Sequence, residues 1–382
     1  MKVPFIDLSS SEKFLSSKIK KAIENVIRRK DFILGKEVKE FEENFSKYIG
    51  CRYTVGVCSG SSGLFLALKA LDISSNDYVI TTPFTFTATA EVILHCNAKV
   101  IFVDIDKDTY NISVEETENA LKKFGNKVKA VIPVHLYGQP CNMQDLLKVC
   151  KEYNIKIVED AAQAHGAIFR FKNGSEIIEK KVGSIGEIGC FSFYPTKNLG
   201  CYGDGGAVTT NDEKLYQKLL RLRNHGRVEH YLYQEIGYNS RLDNLQAAIL
   251  LVKLNYLDKL NKERQKIAQI YTQELKNVGD IVTPYVAENV THVYHLYVIK
   301  TSYRDKLKEF LKLHNIGCAV QYDIPLHLQP AYKGLYETVS SLKNSEITSR
   351  KVLSLPIYPG LKETQIEYVI NTIKKFFKNL KK

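Results

Sequence analysis

The chain has 382 residues, of which 44% are hydrophobic and 25% are charged, and its formal net charge is +12. This size and composition are typical of a globular protein with about two to three domains and an ample core. The basic residues are spread thinly except for the run Lys374, Lys375, Lys378, Lys381 and Lys382, which favours a solvated helix face, so we expect neither nucleic acid nor a membrane as a partner.

The first 250 residues alternate between short apolar segments and helical patterns. Strands are predicted at residues 79–80, 100–103, 130–134 and 155–158. This alternation predicts an α/β fold with a mainly parallel sheet flanked by helices. A helical pattern at 242–275 then leads to a smaller C-terminal α/β unit, predicted from a strand at 295–299 and helices at 303–313 and 364–380. We place the boundary near residue 250, which gives a large domain, 1–250, and a small domain, 251–382.

A turn of small residues leads into an apolar helix near residue 60. The first backbone N–H groups of this helix, at Gly60, Ser61 and Ser62, favour a bound phosphate, as do the helix dipole and the serine hydroxyls. Serine-rich helix starts are also common without a ligand, and no P-loop pattern occurs here. The glycines at 183–189 do not have the spacing of a dinucleotide-binding fingerprint.

An acidic pair, Glu159 and Asp160, directly follows the apolar run at 155–158. In open α/β sheets, ligands bind near the carboxyl ends of the strands. A carboxylate at such a position can keep the ring nitrogen of a cofactor protonated. Asp160 is therefore a candidate cofactor ligand, and the alternative is that it caps a helix that begins at Ala161.

The segment 189–206 places Lys197 among aromatic, hydroxyl and glycine residues. A lysine amine is a nucleophile only when it is uncharged, which enzymes achieve by partial burial or by positive neighbours. Phe191, Phe193 and the glycines after Lys197 suit a buried lysine beside a closely bound cofactor. An isolated lysine would more often lie at the surface, but together with Asp160 this one indicates a covalent anchor for pyridoxal phosphate.

Further segments of the chain contribute to a resemblance with a known protein family. They are residues 4–8, 33–35, 82–90, 103–106, 133–138, 159–163, 237–248 and 355–356, together with the lysine segment. In this order they resemble the DegT/DnrJ/StrS family of pyridoxal-phosphate-dependent sugar aminotransferases, which have the type I (aspartate aminotransferase) fold. The resemblance covers nearly the whole chain. One departure is Ser61-Ser62-Gly63, where the family more often has threonine, an acidic residue and alanine.

The resemblance implies a role for each matching residue around the cofactor ring. Lys197 would carry the cofactor covalently and serve as the general acid and base. Asp160 would pair with the ring nitrogen, and Gln163 would approach the ring hydroxyl. Phe86 would stack on the ring face, although it could instead belong to the core.

The resemblance also implies how the phosphate and the substrate bind. Gly60 and Ser61 would hold the phosphate, with a hydroxyl from Ser192. Asn239 would reach the phosphate from the neighbouring subunit of a homodimer with shared active sites, although it could simply cap a helix. The residues that would face the sugar are Tyr322 and His327.

The implied reaction moves an amino group from an amino acid, by resemblance L-glutamate, to a keto-sugar linked to a nucleotide. The favoured substrate is a 3-keto hexose on dTDP or UDP, and a 4-keto sugar or a cyclitol is the alternative. Two other classes are a sugar dehydratase, some of which have histidine in place of the lysine, and a non-catalytic sensor that binds the cofactor. The presence of Lys197, Asp160 and Phe86 together favours the aminotransferase.

The eight cysteines contain no Cys-x-x-Cys pair, and the chain is too long for a disulfide framework. We therefore expect reduced thiols and a cytoplasmic location. The N-terminus lacks the apolar stretch of a signal peptide, and no segment approaches the ~20 apolar residues of a membrane span. No metal site is expected, because the histidines that we considered, at 95, 135, 225 and 295, lack the spacing of metal ligands.

Overall fold

The computed structural model describes residues 1–380 without the side chains of residues 11 and 12, so Lys381 and Lys382 lie outside the described residues. The helices are α1 (Leu8–Glu12), α2 (Ser16–Arg29), α3 (Lys36–Ile49), α4 (Gly60–Ala70), α5 (Ala88–His95), α6 (Val114–Phe124), α7 (Met143–Glu152), α8 (Glu213–Leu222), α9 (Asn244–Leu254), α10 (Leu257–Leu275), α11 (Arg304–Leu313), α12 (Lys343–Ser349) and α13 (Glu363–Leu380). The strands are β1 (Tyr53–Val57), β2 (Tyr78–Thr81), β3 (Lys99–Phe102), β4 (Val128–Val131), β5 (Lys156–Asp160), β6 (Ile168–Asn173), β7 (Glu176–Lys181), β8 (Ile188–Ser192), β9 (Gly206–Thr210), β10 (Arg227–Glu229), β11 (Leu232–Tyr233), β12 (Val290–Thr291), β13 (Tyr297–Lys300), β14 (Tyr336–Thr338) and β15 (Val352–Leu355).

Eight strands form the central sheet in the order β1, β9, β8, β5, β4, β2, β3, β14. β9 is antiparallel to both of its neighbours, and each adjacent pair from β8 to β14 is parallel. The four strands that the sequence predicted in this region are β2 to β5, so the prediction of a mainly parallel sheet is confirmed.

Helices cover both faces of this sheet. Successive side chains of a strand point to opposite faces, so neighbouring residues pack against different helices. Val79 and Val100 pack with α4 and α5 on one face. Their chain neighbours Ile80 and Ile101 pack with α6 and α7 on the other. The near-continuous apolar sequence of these strands follows from burial on both faces.

The carboxyl ends of the parallel strands meet at one edge of the sheet, and this edge positions the candidate residues. β5 ends at Asp160, whose register partner on β8 is Cys190, two residues before Ser192. β2 ends at Thr81, and the chain then passes through Phe86 into α5. The topology therefore brings the ends of β2, β5 and β8 to the place where ligands bind in such sheets.

The C-terminal part of the chain has its own packing centre. Buried side chains of α10, α11, α13 and the antiparallel pair β13–β15 meet there. The helical pattern at 242–275 is two helices, α9 and α10, separated at residues 255–256. β14, however, pairs with β3 at the edge of the central sheet. The division near residue 250 stays a proposal.

Within residues 1–380, no helix has both the length and the apolar content needed to cross a bilayer.

Glu159, the first member of the acidic pair, stabilises the fold by accepting hydrogen bonds from other parts of the chain. Its buried carboxylate accepts N–H groups from Ile185 and Gly186 on Oε1, both at 2.8 Å, and from Gly183 on Oε2, also at 2.8 Å. The fourth donor is His135 Nε2 at 3.0 Å; His135 Nδ1 accepts from the N–H of residue 141, so the ring proton lies on Nε2. The glycine-rich segment 183–189 thus surrounds a side chain of the protein itself.

The Glu159→Gln variant is expected to lower the free energy of unfolding by about 3 kcal/mol. One carboxylate oxygen, which accepts two hydrogen bonds, is replaced by an NH2 group. The protons of this group then face the two donors that the oxygen had accepted from. Urea unfolding followed by circular dichroism measures the loss. The matched control is Glu179→Gln, which removes an exposed ion pair with Arg170 and should change stability by less than about 1 kcal/mol. Equal losses in both variants would contradict this reading of Glu159.

Candidate active site

Asp160 lies at the end of β5 and is buried. Thr89 Oγ1, on α5, donates to Asp160 Oδ2 at 2.7 Å, and the Ala162 N–H donates to Asp160 Oδ1 at 3.2 Å. A turn follows Asp160, and within the described chain no helix begins at Ala161. The structure therefore does not support the alternative that Asp160 is a helix cap.

The surroundings of Asp160 leave its charge poorly compensated. Burial raises the pKa of Asp160, while the hydrogen bonds from Thr89 and Ala162 and the positive charge of Lys197 oppose the rise. An ionised carboxylate has room for about four donors, as Glu159 shows next to it. Asp160 is thus suited to a further cationic partner, such as a protonated ring nitrogen.

Lys197 lies in the loop between β8 and β9. Backbone hydrogen bonds close this loop, from Lys197 N to Tyr194 O and from Cys201 N to Phe193 O, both at 2.8 Å. Part of the lysine surface is accessible, but protein atoms enclose the side chain enough to lower the pKa of Lys197 to about 8, against the opposing charge of Asp160. The amine can therefore lose its proton at mildly alkaline pH and act as a nucleophile.

The Phe86 side chain is 56% exposed, although Phe84 and Thr85 beside it are buried. The Phe86 carbonyl accepts a hydrogen bond from Thr89 N at 3.3 Å, so Phe86 lies one turn from the hydroxyl that holds Asp160. The alternative that Phe86 belongs to the core does not hold. An exposed aromatic ring one helical turn from the hydroxyl that holds a buried carboxylate is suited to stacking on a flat ligand.

The start of α4 packs tightly against β8 and β9. A Cβ atom on Gly60 would lie 2.8 Å from Ser192 Cβ, and one on Gly206 would lie 2.4 Å from the Ser59 carbonyl. Ser59 caps the helix, because its Oγ accepts from Ser62 N at 3.0 Å. The first N–H groups of α4, which have no partner inside the helix, thus meet the Ser192 side chain in a position that suits an anion.

Gln163 and Tyr322 are in direct contact. Gln163 Nε2 donates to Tyr322 Oη at 3.2 Å, and Gln163 Oε1 accepts from Tyr137 N at 2.7 Å. Burial raises the pKa of Tyr322, and the negative charge of Asp160 adds to the rise. The Tyr322 phenol therefore stays protonated and lies in the same group as Asp160.

The contacts of Asn239 and His327 are with other parts of the chain. Asn239 is exposed and forms an isolated backbone bridge with Asn224. His327 is buried, and its Nε2 lies 3.3 Å from Glu346 Oε1. Within residues 1–380, neither side chain shares a hydrogen bond or an ion pair with Lys197 or Asp160. The roles of Asn239 and His327 stay predictions.

Sequence reasoning missed Thr89 and Tyr137. Thr89 follows Phe86 by three residues, about one helical turn, so the helical period could have indicated that both face one place. Tyr137 contributes a backbone N–H, which depends on its position in space and carries no signal in the sequence.

One kind of ligand fits these positions. Pyridoxal phosphate has a flat ring with a protonatable nitrogen, an aldehyde that reacts with an amine, and a phosphate. The chain offers an exposed aromatic ring, a buried carboxylate without enough donors, an amine of lowered pKa, and a crowded helix start. The residues present therefore fit this cofactor.

Residues 14–374 match the sequence profile of the DegT/DnrJ/EryC1/StrS aminotransferase family. The chain is 42% identical to a pleiotropic regulatory protein of Geobacillus stearothermophilus, over 99% of this chain and 100% of that protein. It is 40% identical to the dTDP-3-amino-3,6-dideoxy-alpha-D-galactopyranose transaminase of Aneurinibacillus thermoaerophilus, over 98% of this chain and 99% of that protein.

The fold is similar to the crystal structure of Streptomyces venezuelae DesV in complex with a ketimine intermediate. The TM-score is 0.92, the identity is 37%, and 98% of each chain is covered. Other solved structures that match include a PLP form and one with the cofactor PMP bound. These likenesses confirm the predicted fold class.

Proposed function

Since the chain belongs to the DegT/DnrJ/EryC1/StrS aminotransferase family, we propose that it moves an amino group from L-glutamate to a keto-hexose linked to a nucleoside diphosphate. It is a sugar aminotransferase that depends on pyridoxal phosphate. The amino donor, the nucleotide and the position of the keto group are the proposed part. A 3-keto hexose on dTDP or UDP is favoured, because the names of several relatives specify a 3-amino or 3-keto sugar. A 4-keto sugar or a cyclitol is the alternative.

The observation that carries this proposal is the placement of Lys197, in the loop after β8, near Asp160, at the end of the adjacent strand β5. The two groups are near enough for the charge of each to shift the pKa of the other. Pyridoxal phosphate supplies the electron sink for the reaction when it is bound. Lys197 would hold the cofactor and, once released from it, would move the proton at the reacting carbon. Asp160 would supply the negative charge that keeps the ring nitrogen protonated.

The other residues bind and orient. Phe86 would cover one face of the ring. Gln163, whose Oε1 accepts from Tyr137 N, would use the second proton of its Nε2 to approach the ring hydroxyl. Tyr322, which accepts a hydrogen bond from Gln163, would contact the sugar, and we assign His327 a sugar contact as well. The residues that would hold the phosphate are Gly60, Ser61 and Ser192.

We propose a homodimer with shared active sites. The hairpin formed by β10 and β11 exposes large apolar side chains, with Tyr231 at 80% and Ile236 just beyond it at 87% exposure. Such side chains on one short segment favour a protein interface. Asn239 follows this hairpin and is exposed, so a second copy could receive it at its phosphate site.

We also infer a cytoplasmic location, because all eight cysteines are free thiols.

The test of the proposed function is the absorption spectrum of the purified protein with and without L-glutamate. We expect a visible band from the lysine-bound cofactor, and glutamate should convert it to the near-ultraviolet band of the aminated cofactor. A panel of dTDP- and UDP-linked 3-keto and 4-keto hexoses should then identify the sugar that restores the visible band. A protein that binds the cofactor but responds to no amino donor would instead be a sensor.

The Gly60→Ala variant is expected to weaken cofactor binding about 10- to 100-fold. The added Cβ would lie 2.8 Å from Ser192 Cβ and would displace the first turn of α4, so one or two charge-assisted hydrogen bonds to the phosphate would be lost. Titration of the apoprotein with pyridoxal phosphate measures the Kd. The control is Gly63→Ala, whose Cβ would approach a Val208 methyl group at 3.3 Å. An unchanged Kd in Gly60→Ala would contradict the assignment of the phosphate site.

A further inference from the structure

A network of buried amides begins at Asn198, the residue after Lys197. Asn198 Nδ2 donates to Asn261 Oδ1 at 2.8 Å and to the Val293 carbonyl at 3.0 Å. Asn198 Oδ1 lies 3.2 Å from His295 Nδ1, and because an amide oxygen only accepts, His295 Nδ1 carries the ring proton. Both ends of the Asn198 amide are thus used.

The network joins the lysine loop to three other parts of the chain. Asn261, on α10, donates from Nδ2 to the His165 carbonyl at 2.9 Å, in the turn after β5. Val293 and His295 belong to the segment before β13. Asn198, Asn261 and His295 are all buried, so each unmade hydrogen bond here would be costly.

Arg264 lies one turn after Asn261 on α10, and its side chain binds the backbone of the segment that contains Val293 and His295. Its Nη1 donates to the carbonyls of Tyr294, His295 and Ile357, at 3.3, 3.4 and 2.9 Å. Burial lowers the pKa of Arg264 to about 10, so the group stays charged at neutral pH. The His295 backbone is therefore fixed by α10 while its ring bonds to Asn198.

The Lys197 amine, in contrast, has no hydrogen-bond partner of its own among the residues that the structure describes. Its position depends on the loop backbone, whose nearest side-chain anchor is Asn198. Burial and the charge of Lys197 both lower the pKa of His295, burial being the larger cause. His295 is thus neutral and close enough to respond to the amine.

We propose that Asn198 is a positioning residue for Lys197, which holds the lysine loop against α10 and keeps the His295 ring proton on Nδ1. The inference rests on the proposed function of Lys197. Without the Asn198 amide, water would enter behind the loop and the lysine would sample several positions. Both the protonation of the amine and its alignment with a reacting carbon would change.

The first measurement needs no turnover. Apoprotein is treated with an amine-reactive reagent across a range of pH, and modification of Lys197 is quantified by peptide mass spectrometry. In the wild type, half-maximal labelling is expected near pH 8. In Asn198→Ala, the midpoint should rise by at least about half a pH unit, because entering water relieves the burial that lowers the pKa of Lys197. An unchanged midpoint would overturn the proposal.

Turnover provides the second measurement. Asn198→Ala should lower kcat about 10- to 100-fold, as expected for a misaligned catalytic group, with KM for L-glutamate within about threefold. Asn261→Ala removes the same hydrogen bond from the other side. Because the two residues act as a unit, the double variant should be about as impaired as Asn198→Ala alone. Losses that simply multiply would argue against a shared network.

The matched control is Asn255→Ala. Asn255 is exposed between α9 and α10, and among the described residues its Nδ2 donates only to the Leu251 carbonyl, at 2.9 Å, so the labelling midpoint and kcat should stay at wild-type values. If Asn198→Ala does not fold, Asn198→Ser and Asn261→Ala carry the same labelling test, and wild-type midpoints in both overturn the proposal. A shifted midpoint in a protein without transaminase activity would refute the proposed function and uphold the network.

Discussion

Replacing Lys197 with alanine is expected to lower kcat by at least about 10⁴-fold. In the proposed function the lysine both holds the cofactor and moves the proton at the reacting carbon, and loss of a positioned acid–base group alone lowers the rate about 10²- to 10⁴-fold. A 10⁴-fold loss corresponds to roughly 5 kcal/mol of transition-state stabilisation. The measurement is a coupled assay of glutamate consumption with the keto-sugar that the wild type accepts.

The Lys197→Arg variant separates chemistry from charge. Arginine keeps a positive charge next to Asp160, but its guanidinium stays protonated in proteins and cannot serve as the nucleophile. Both variants should therefore be inactive, while their thermal unfolding should remain close to that of the wild type. Activity within about tenfold of wild type in either variant would exclude Lys197 as the catalytic residue.

The second large effect is expected from Asp160→Asn, which should lower kcat about 10²- to 10³-fold, as is typical when one electrostatic contact to a reacting system is removed. Asparagine has nearly the shape of aspartate but cannot supply the negative charge that keeps a ring nitrogen protonated. Steady-state kinetics measures the loss. The control Glu159→Gln, one residue earlier, should lower stability, and its kcat should stay far above that of Asp160→Asn once folded protein is compared.

Asp160→Asn should not lower the stability of the apoprotein, although it lowers kcat. Burial raises the pKa of Asp160 above its ordinary value of 3.8, so the folded state binds more protons than the unfolded state in the window above that value. Stability therefore falls as pH rises through this window, and the ionised carboxylate destabilises the apoprotein at neutral pH. Asp160→Asn should unfold at the same urea concentration as the wild type or a higher one. Clear destabilisation would mean that Asp160 has a structural role.

The parts of the site that could be predicted are those in which several residues with special chemistry stand close together in the chain. Asp160 follows an apolar strand, and Lys197 stands between aromatic residues and glycines, so both carry a local signal. The parallel sheet could be predicted for a similar reason, because strands buried on both faces are continuously apolar.

Contacts between distant segments could not be predicted. The bond from Asn198 to Asn261 joins residues far apart in the chain, and asparagine is common at turns and caps, where it has no such role. His327 lies beside Glu346, a pairing that depends on how the C-terminal segments fold back. The three residues of β14 are too few to show a strand period.

The pairing of β14 with β3 also bears on how the chain is made. β3 has β2 on one side, and residues 336–338 cover its other edge. While a ribosome is still synthesising α11, that edge presents unpaired N–H and C=O groups, which other chains can use as a template for pairing. The growing polypeptide therefore exposes an edge of β3 that the complete fold covers, and a chaperone that shields this edge would act before residue 336 emerges.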